Sequence, residues 1–347
     1  MGIQDQVTYP FEERIPRPGE AIEVRPGIHW IRMPLPFALD HINLWLLRDG
    51  DGWTIVDTGY GVEATWSLWE RHLAGVMGGR PVKNIVVTHY HPDHVGCAAW
   101  LVERTGAPFW MTAAEFLSAH AAHADIAGFD RENTVALYIA NGVPASAVPE
   151  STRKVNGYRR GVPEVPRRYR RMMHGDRLVI GGDEWEVITV FGHAPEHAAL
   201  WCAARGVLIS GDQVLPRITT NVAVWGSQPE SNPLLLFLDS MSRFAHVSAD
   251  ALVLPSHDRV FSGVHARIAQ LHEHHEHRLE RLLEGCEQPI TAFEALPLLF
   301  KRKLDDHQLM FAMGEAVAHL HYLLAAGRVR RLEDGGLRRF VKVESGA

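Results

Sequence analysis

Apolar and polar positions along the 347-residue chain change period several times, and the changes mark out a mixed α/β protein. Residues 21–35 and 42–57 alternate as strands, broken by the turn Asp49-Gly50-Asp51-Gly52. Residues 62–77 then switch to helical spacing, with Val62, Trp66, Trp69, Leu73 and Val76 on one face and Gly78-Gly79 as the stop. A short β-branched run, 85–88, reads as a buried strand. A helix is expected from Asp93 to about Arg104, a strand at Phe109–Met111, and helices near 113–124 and 131–141. Farther on, 176–190 reads as a hairpin, and 207–210 and 252–254 as single strands. A long helix covers about 264–283. The tail pattern gives helices at 291–302 and 307–326, then a hairpin turned by Asp334-Gly335-Gly336.

The chemistry concentrates where the strand at 85–88 ends. His89, His91, Asp93 and His94 fall within six residues, and Pro92 bars a simple helical continuation through the turn. A single histidine is usually structural. Three imidazoles and a carboxylate displayed together on a strand end are a preorganised set of ligands for a first-row metal ion.

The segment Ile85-Val-Val-Thr-His-Tyr-His-Pro-Asp-His-Val-Gly96 resembles the signature of the metallo-β-lactamase-fold hydrolases. The resemblance implies an αββα sandwich with a metal pair at one edge of its two sheets. It also implies ligands downstream, each after a strand, and three are found: His193 in Phe191-Gly-His-Ala-Pro195, Asp212 in Ser210-Gly-Asp212, and His257 after Leu252–Ser256. The family usually has glycine where Ser256 stands, a departure that touches loop geometry. By the family pattern His89, His91 and His193 hold one ion, Asp93, His94 and His257 hold the other, and Asp212 bridges them, with Asp93 and Asp212 serving catalysis. Asp57, in Asp57-Thr-Gly59, would orient a ligand histidine from behind, and His197 would support the site. Tyr60, Arg217 and Trp225 follow metal motifs and are expected substrate contacts. So are His275 and Arg278, because related proteins often place a His/Arg-bearing helix near the cleft. Each could equally be structural.

With no cysteine in the set, two divalent ions fit, zinc first and iron or manganese as alternatives. The implied reaction is hydrolysis by a metal-bridging hydroxide. A small ester or thioester substrate is preferred, since the net charge of −6 gives no broad basic surface. The alternatives are a single-strand-specific endoribonuclease, a lactonase or β-lactamase-like hydrolase, and a non-catalytic diiron protein. RNA as partner is motivated by residues 152–173, where eight Arg or Lys accompany only Glu164, although a solvated face is the plainer reading. No Gly-x-Ser-x-Gly or Gly-x-Gly-x-x-Gly motif supports serine-hydrolase or dinucleotide chemistry.

Size and composition set the rest. The expected division is a catalytic domain at 1–285 and a small α+β, winged-helix-like domain at 286–347, read first as a packing or homodimerisation module. Cys97, Cys202 and Cys286 are scattered and form no Cys-x-x-Cys pair. With no signal-peptide pattern and no apolar run long enough to span a bilayer, a cytoplasmic location and no membrane partner are expected.

Overall fold

The computed structural model describes residues 7–126, 128–148, 156–301 and 303–344, so residues 152–155 of the basic stretch lie outside the described residues. Two sheets form the middle of the molecule. The first runs in sequence order through β1 (Ala21–Arg25), β2 (Ile28–Pro34), β3 (His41–Asp49), β4 (Gly52–Val56), β5 (Val82–Val86), β6 (Phe109–Thr112) and β7 (Arg170–Met172). It is antiparallel from β1 to β4 and parallel from β4 to β7. The second has the order β13-β12-β11-β10-β9-β8, built from β8 (Arg177–Ile180), β9 (Asp183–Val190), β10 (His197–Cys202), β11 (Val207–Gly211), β12 (Leu252–Pro255) and β13 (Phe261–Ser262). Only the β11–β12 pair in it is parallel.

Strand alternation decides what each face buries. Trp30 and Trp45 are cross-strand partners on one face, and they join Leu47, Val56, Trp185, Val187, Leu200, Ile209 and Leu254 between the sheets. Their neighbours Ile31 and Leu44 point the other way, with Ile55 and Ile85, onto Trp69 of α1 (Glu63–Ala74) and Leu101 of α3 (Ala98–Thr105). The outer face of the second sheet (Ile188, Val190, Leu208, Val253) is covered by Phe237 of α7 (Pro233–Ser240) and Leu271 of α8 (Val264–Gly285). The result is the expected αββα sandwich.

The chain beyond α8 forms α9 (Ala292–Leu299), α10 (Asp306–Ala325) and the hairpin β14 (Val329–Asp334) and β15 (Leu337–Lys342). It shares the outer core of the second sheet, to which Leu296, Val317 and Phe340 belong. Capping boxes start both helices, Thr291 with Glu294 and Asp305 with Gln308.

Several elements depart from expectation. The helix expected from Asp93 to Arg104 is two pieces, α2 (Pro92–Val95) and α3. The Cys97 N–H leaves the helical ladder for the Gly59 carbonyl at 3.1 Å and Thr58 Oγ1 at 3.2 Å, so tertiary bonds to the 57–61 turn override helical continuation. The helix expected over 62–77 ends at Ala74 and is followed by a turn. Strands β7 and β10 and helix α7 were not expected. All six residues of β10 are buried, so it carries no alternation to read. Among the described residues, the remaining α-helices of the catalytic region are α4 (Ala113–Ala124), α5 (Arg131–Ala140) and α6 (Tyr158–Gly161).

Candidate metal centre

The ends of β5, β9, β11 and β12 converge at one edge of the sandwich, and each delivers part of a polar cluster. After β5 the chain passes through Thr88 and His89, and His91 becomes the N-cap of α2 with Pro92 in its first turn. This places Asp93 and His94 one short turn from His91. After β9, Gly192 takes φ +96°, and after β11, Gly211 takes φ +56°, so glycines turn the chain to present His193 and Asp212. His257 follows β12.

The side chains fall into two groups that can each hold an ion: His89, His91, His193 and Asp212, and Asp93, His94 and His257. In the first, His89 Nε2 lies 2.9 Å from His91 Nδ1 and 3.2 Å from His193 Nε2. In the second, His257 Nε2 lies 3.4 Å and His94 Nε2 3.8 Å from Asp93 Oδ2. Asp212 stands between the groups. Its Oδ2 faces His193 Nε2 at 3.3 Å, while its Oδ1 faces His94 Nε2 at 3.4 Å and His257 Nε2 at 3.5 Å.

The outer ring nitrogens are held so that the inner ones face the cluster. Nδ1–H of His193 donates to the Asn221 carbonyl at 2.8 Å, and Nδ1–H of His257 donates to the His41 carbonyl at 2.9 Å. A carbonyl can only accept, so both leave Nε2 pointing inward. His94 Nδ1 is 2.8 Å from buried Asp57 Oδ2, and Asp57 also accepts from the Thr88 amide at 2.8 Å. Asp57 does so in the left-handed region, φ +61°, which aspartate tolerates better than most residues. His197, fully buried, accepts the Asp212 N–H at Nε2, 3.2 Å away. Asp57 and His197 thus stand behind the cluster.

The electrostatics divide the same way. Burial, reinforced by His193, holds the His91 imidazole down at about 3, and burial with His94 and His91 holds His89 well below its usual value. Burial also opposes charge on His257, but Asp212 and Asp93 outweigh it and carry that imidazole up to about 10. On His94 burial is likewise overcome, here by Asp57 first and then by Asp212 and Asp93. His94 Nε2 and Asp212 Oδ1 are buried without a hydrogen-bond partner. Five imidazoles and two carboxylates crowded together, with no thiolate among them, fit divalent cations of the hard-to-borderline type.

The other expected contacts are placed as follows. Tyr60 is buried, its ring against Gly161 and edge-on to Phe37, with centroids 5.4 Å apart. Trp225 packs edge-on against Phe311 of α10 at 6.3 Å. Arg217 grips Asp258, the neighbour of His257, through Nε at 2.6 Å and Nη2 at 2.5 Å, and lies over the Tyr9 ring. His275 and Arg278 correct the expectation of substrate contact. They lie on the stripe Leu271, His275, Arg278, Leu282, which α8 turns into the core. His275 Nδ1 meets His319 Nε2 at 3.1 Å, and Arg278 pairs with Glu315 at 3.1 Å and covers Phe300. Arg159, Arg160, Arg167, Arg168, Arg170 and Arg171 are exposed.

One residue of this region carries no sequence signal. Glu115, fully buried on α4, accepts the Tyr90 N–H at 2.9 Å and the Glu196 N–H at 2.5 Å. Burial pushes its carboxyl up to about 8 against the pull of those two donors.

Known proteins share this fold. The family model of the metallo-beta-lactamase superfamily matches residues 38–264, and that of the metallo-beta-lactamase-like C-terminal domain matches 279–343. The chain belongs to the metallo-beta-lactamase superfamily. It is 44% identical to a beta-lactamase domain protein from Burkholderia ambifaria, whose crystal structure matches 98% of this chain and 99% of that one with a TM-score of 0.92. A metallo-beta-lactamase family protein from Thermus thermophilus is 32% identical, over 92% and 100% of the two chains, with a TM-score of 0.78. A probable metallo-hydrolase from Bacillus subtilis (strain 168) is 25% identical over 314 residues, 88% of this chain and 94% of its own. The protein is therefore a metal-dependent hydrolase with a His/Asp metal-binding cluster. Among the described residues no helix is long and apolar enough to cross a membrane.

Proposed function

We propose that this hydrolase works with two divalent ions and acts on a small carboxylic ester or thioester. The observation that carries the two-ion reading is the division of Asp212, with Oδ2 turned to His193 and Oδ1 turned to His94 and His257. His89, His91 and His193 would hold one ion, Asp93, His94 and His257 the other, and Asp212 both, with zinc the first choice and iron or manganese the alternatives. A divalent pair at such a site supplies a water that ionises near neutral pH and a positive centre for the scissile carbonyl. The residues do the rest. Asp57, Asn221 and His41 hold three ring nitrogens in one tautomer, so the inner Nε2 atoms need not reorganise. Asp93 keeps 20% of its side chain exposed, against 9% for Asp212, so it is the cluster carboxylate that solvent and substrate reach more readily and the one at which a proton could be held for the leaving group.

The acidic overall charge supports a small substrate. A ribonuclease is the second reading, favoured by the exposed arginines around α6, which is tied to the ligand loop by Tyr158 OH donating to the Tyr90 carbonyl at 2.6 Å. Metal analysis with a panel of acyl thioesters, esters, lactones, nitrocefin and single-stranded RNA tests both. Thioester or ester turnover with two ions bound is expected. RNA cleavage without thioester or ester turnover, lost when Arg167, Arg168, Arg170 and Arg171 are neutralised, would replace the first reading by the second.

A further inference from the structure

Glu115 sits three residues into α4, yet its carboxylate serves the loops across from it and not its own helix. Oε2 accepts the N–H of Tyr90, the residue between His89 and His91, at 2.9 Å. Oε1 accepts the N–H of Glu196, three residues after His193, at 2.5 Å. The same turn reinforces the second contact: Ala114 N–H donates to Glu196 Oε2 at 3.2 Å, and Thr112 Oγ1–H donates to the Glu196 carbonyl at 2.9 Å. The first turn of α4 therefore holds together two loops, far apart in sequence, that bear His89, His91 and His193.

The other half of the cluster has its own fastening. Arg217, five residues after Asp212, grips Asp258, whose backbone is in the left-handed region at φ +67° directly after His257. The Asp258 N–H also donates to His41 Nε2 at 3.0 Å. Among the described residues no hydrogen bond or ion pair joins this fastening directly to the one around Glu115.

We propose that Glu115 is a positioning residue for the ion held by His89, His91 and His193, and that the Arg217–Asp258 pair positions the half containing His257, so that the two halves can be loosened separately. The inference rests on the two-ion reading above. A buried carboxyl group that accepts two amide N–H groups holds their loops in one relative position, and ligand sets lose affinity steeply when their supporting atoms go. A merely structural Glu115 would lower stability without singling out either ion.

The test is competition titration of the full-length protein with Zn2+ against a chromophoric chelator, alongside Co2+ absorption spectra. Wild type should bind two equivalents. Glu115→Gln, which keeps the size and one acceptor, should hold one ion as before and the other about 10- to 100-fold more weakly. Arg217→Met should weaken the opposite site. In a double-mutant cycle the loss from Glu115→Gln should disappear in a His193→Ala background and persist in His257→Ala. Thr112→Val removes a single bond of the same clamp and covers the case in which Glu115→Gln does not fold; a smaller weakening of the same site is expected. The proposal is overturned if Glu115→Gln, or Thr112→Val in its place, binds both ions as tightly as wild type, or weakens both equally. If wild type binds a single ion, the two-ion reading falls, and the clamp is then judged by whether Glu115→Gln weakens that ion.

Discussion

Replacing Asp57 by asparagine should cost the hydrolase most of its hold on one ion while leaving the sandwich intact. Asp57 is 1% exposed and its Oδ2 lies 2.8 Å from His94 Nδ1, so a charge-assisted N–H···O bond keeps the proton on Nδ1 and the lone pair of Nε2 toward Asp212. The asparagine amide has nearly the same shape. Its carbonyl can still accept the Thr88 N–H that Oδ1 accepts at 2.8 Å, but its NH2 group then faces His94 Nδ1. That side chain donates where the carboxylate accepted, which favours the tautomer with the proton on Nε2, inside the cluster. The lost interaction is one buried hydrogen bond to a charged group, about 1.5–3 kcal/mol. That range corresponds to roughly 10- to 100-fold in metal affinity, the usual effect of removing such an orienting carboxylate. Chelator competition measures the affinity directly, and circular dichroism checks that the fold survives. An Asp57→Asn protein that binds two ions as tightly as wild type would refute the argument that Asp57 sets the His94 tautomer.

Three further expectations concern other parts of the structure. Gly192→Ala should destabilise the protein by about 2 kcal/mol or more and reduce metal content, because φ is +96° and a Cβ there would stand 2.5 Å from Phe237 Cβ and the Pro233 carbonyl; thermal melts and metal analysis read it, and wild-type values in both would contradict it. Chelation should lower the melting temperature, since ligands bound at 100 times their Kd contribute about 2.7 kcal/mol each; an unchanged melt would show that the cluster binds nothing under those conditions. His72 is 2% exposed on α1, its Nε2 has no partner, and burial, with a smaller contribution from Arg71, holds it down at about 4. The folded state therefore keeps it neutral while the unfolded chain protonates near 6.5, so stability is lost as pH falls from 6.5 toward 4, by up to about 3 kcal/mol. His72→Leu should flatten that part of the acid slope in urea titrations at pH 7 and 4.5, and an unaltered slope would reject the assignment.

What can be read in the sequence is whatever sits on a strand end as a side chain. His89, His91, Asp93, His94, His193, Asp212 and His257 each follow a short apolar run, and the structure brings all seven to one edge. Elements whose pattern is suppressed by burial on both faces, such as β10, or by charge, such as Arg170–Met172 in β7, are not legible. The long helix misleads for a different reason. His275 and Arg278 are expected at the cleft, but while 272, 273, 276 and 277 are exposed, His275 and Arg278 share the spacing of Leu271 and Leu282 and go into the core with them. Helical period, more than residue type, decides their fate.

The supporting layer is hidden for a reason specific to its chemistry. His193 is oriented by the carbonyl of Asn221, His257 by the carbonyl of His41, and the His89–His91 and His193 loops are held through the N–H groups of Tyr90 and Glu196. These contacts are made by backbone atoms, and a backbone N–H or carbonyl is present at nearly every residue, so the side chains at 41, 90, 196 and 221 carry no trace of them. Asp57 is the informative contrast. It performs the same task with a side chain, and it is legible in the sequence within Asp57-Thr-Gly59. Glu115 lies between the two cases: the carboxylate is a side chain, but both of its partners are backbone, so no second motif marks the pair. It follows that substitutions at Asn221 or Tyr90 that leave the backbone path unchanged should be tolerated by the metal centre far better than substitutions at Asp57 or Glu115, although Asn221 and Asp57 each bond directly to a ligand histidine and Tyr90, within the ligand loop, bonds directly to Glu115.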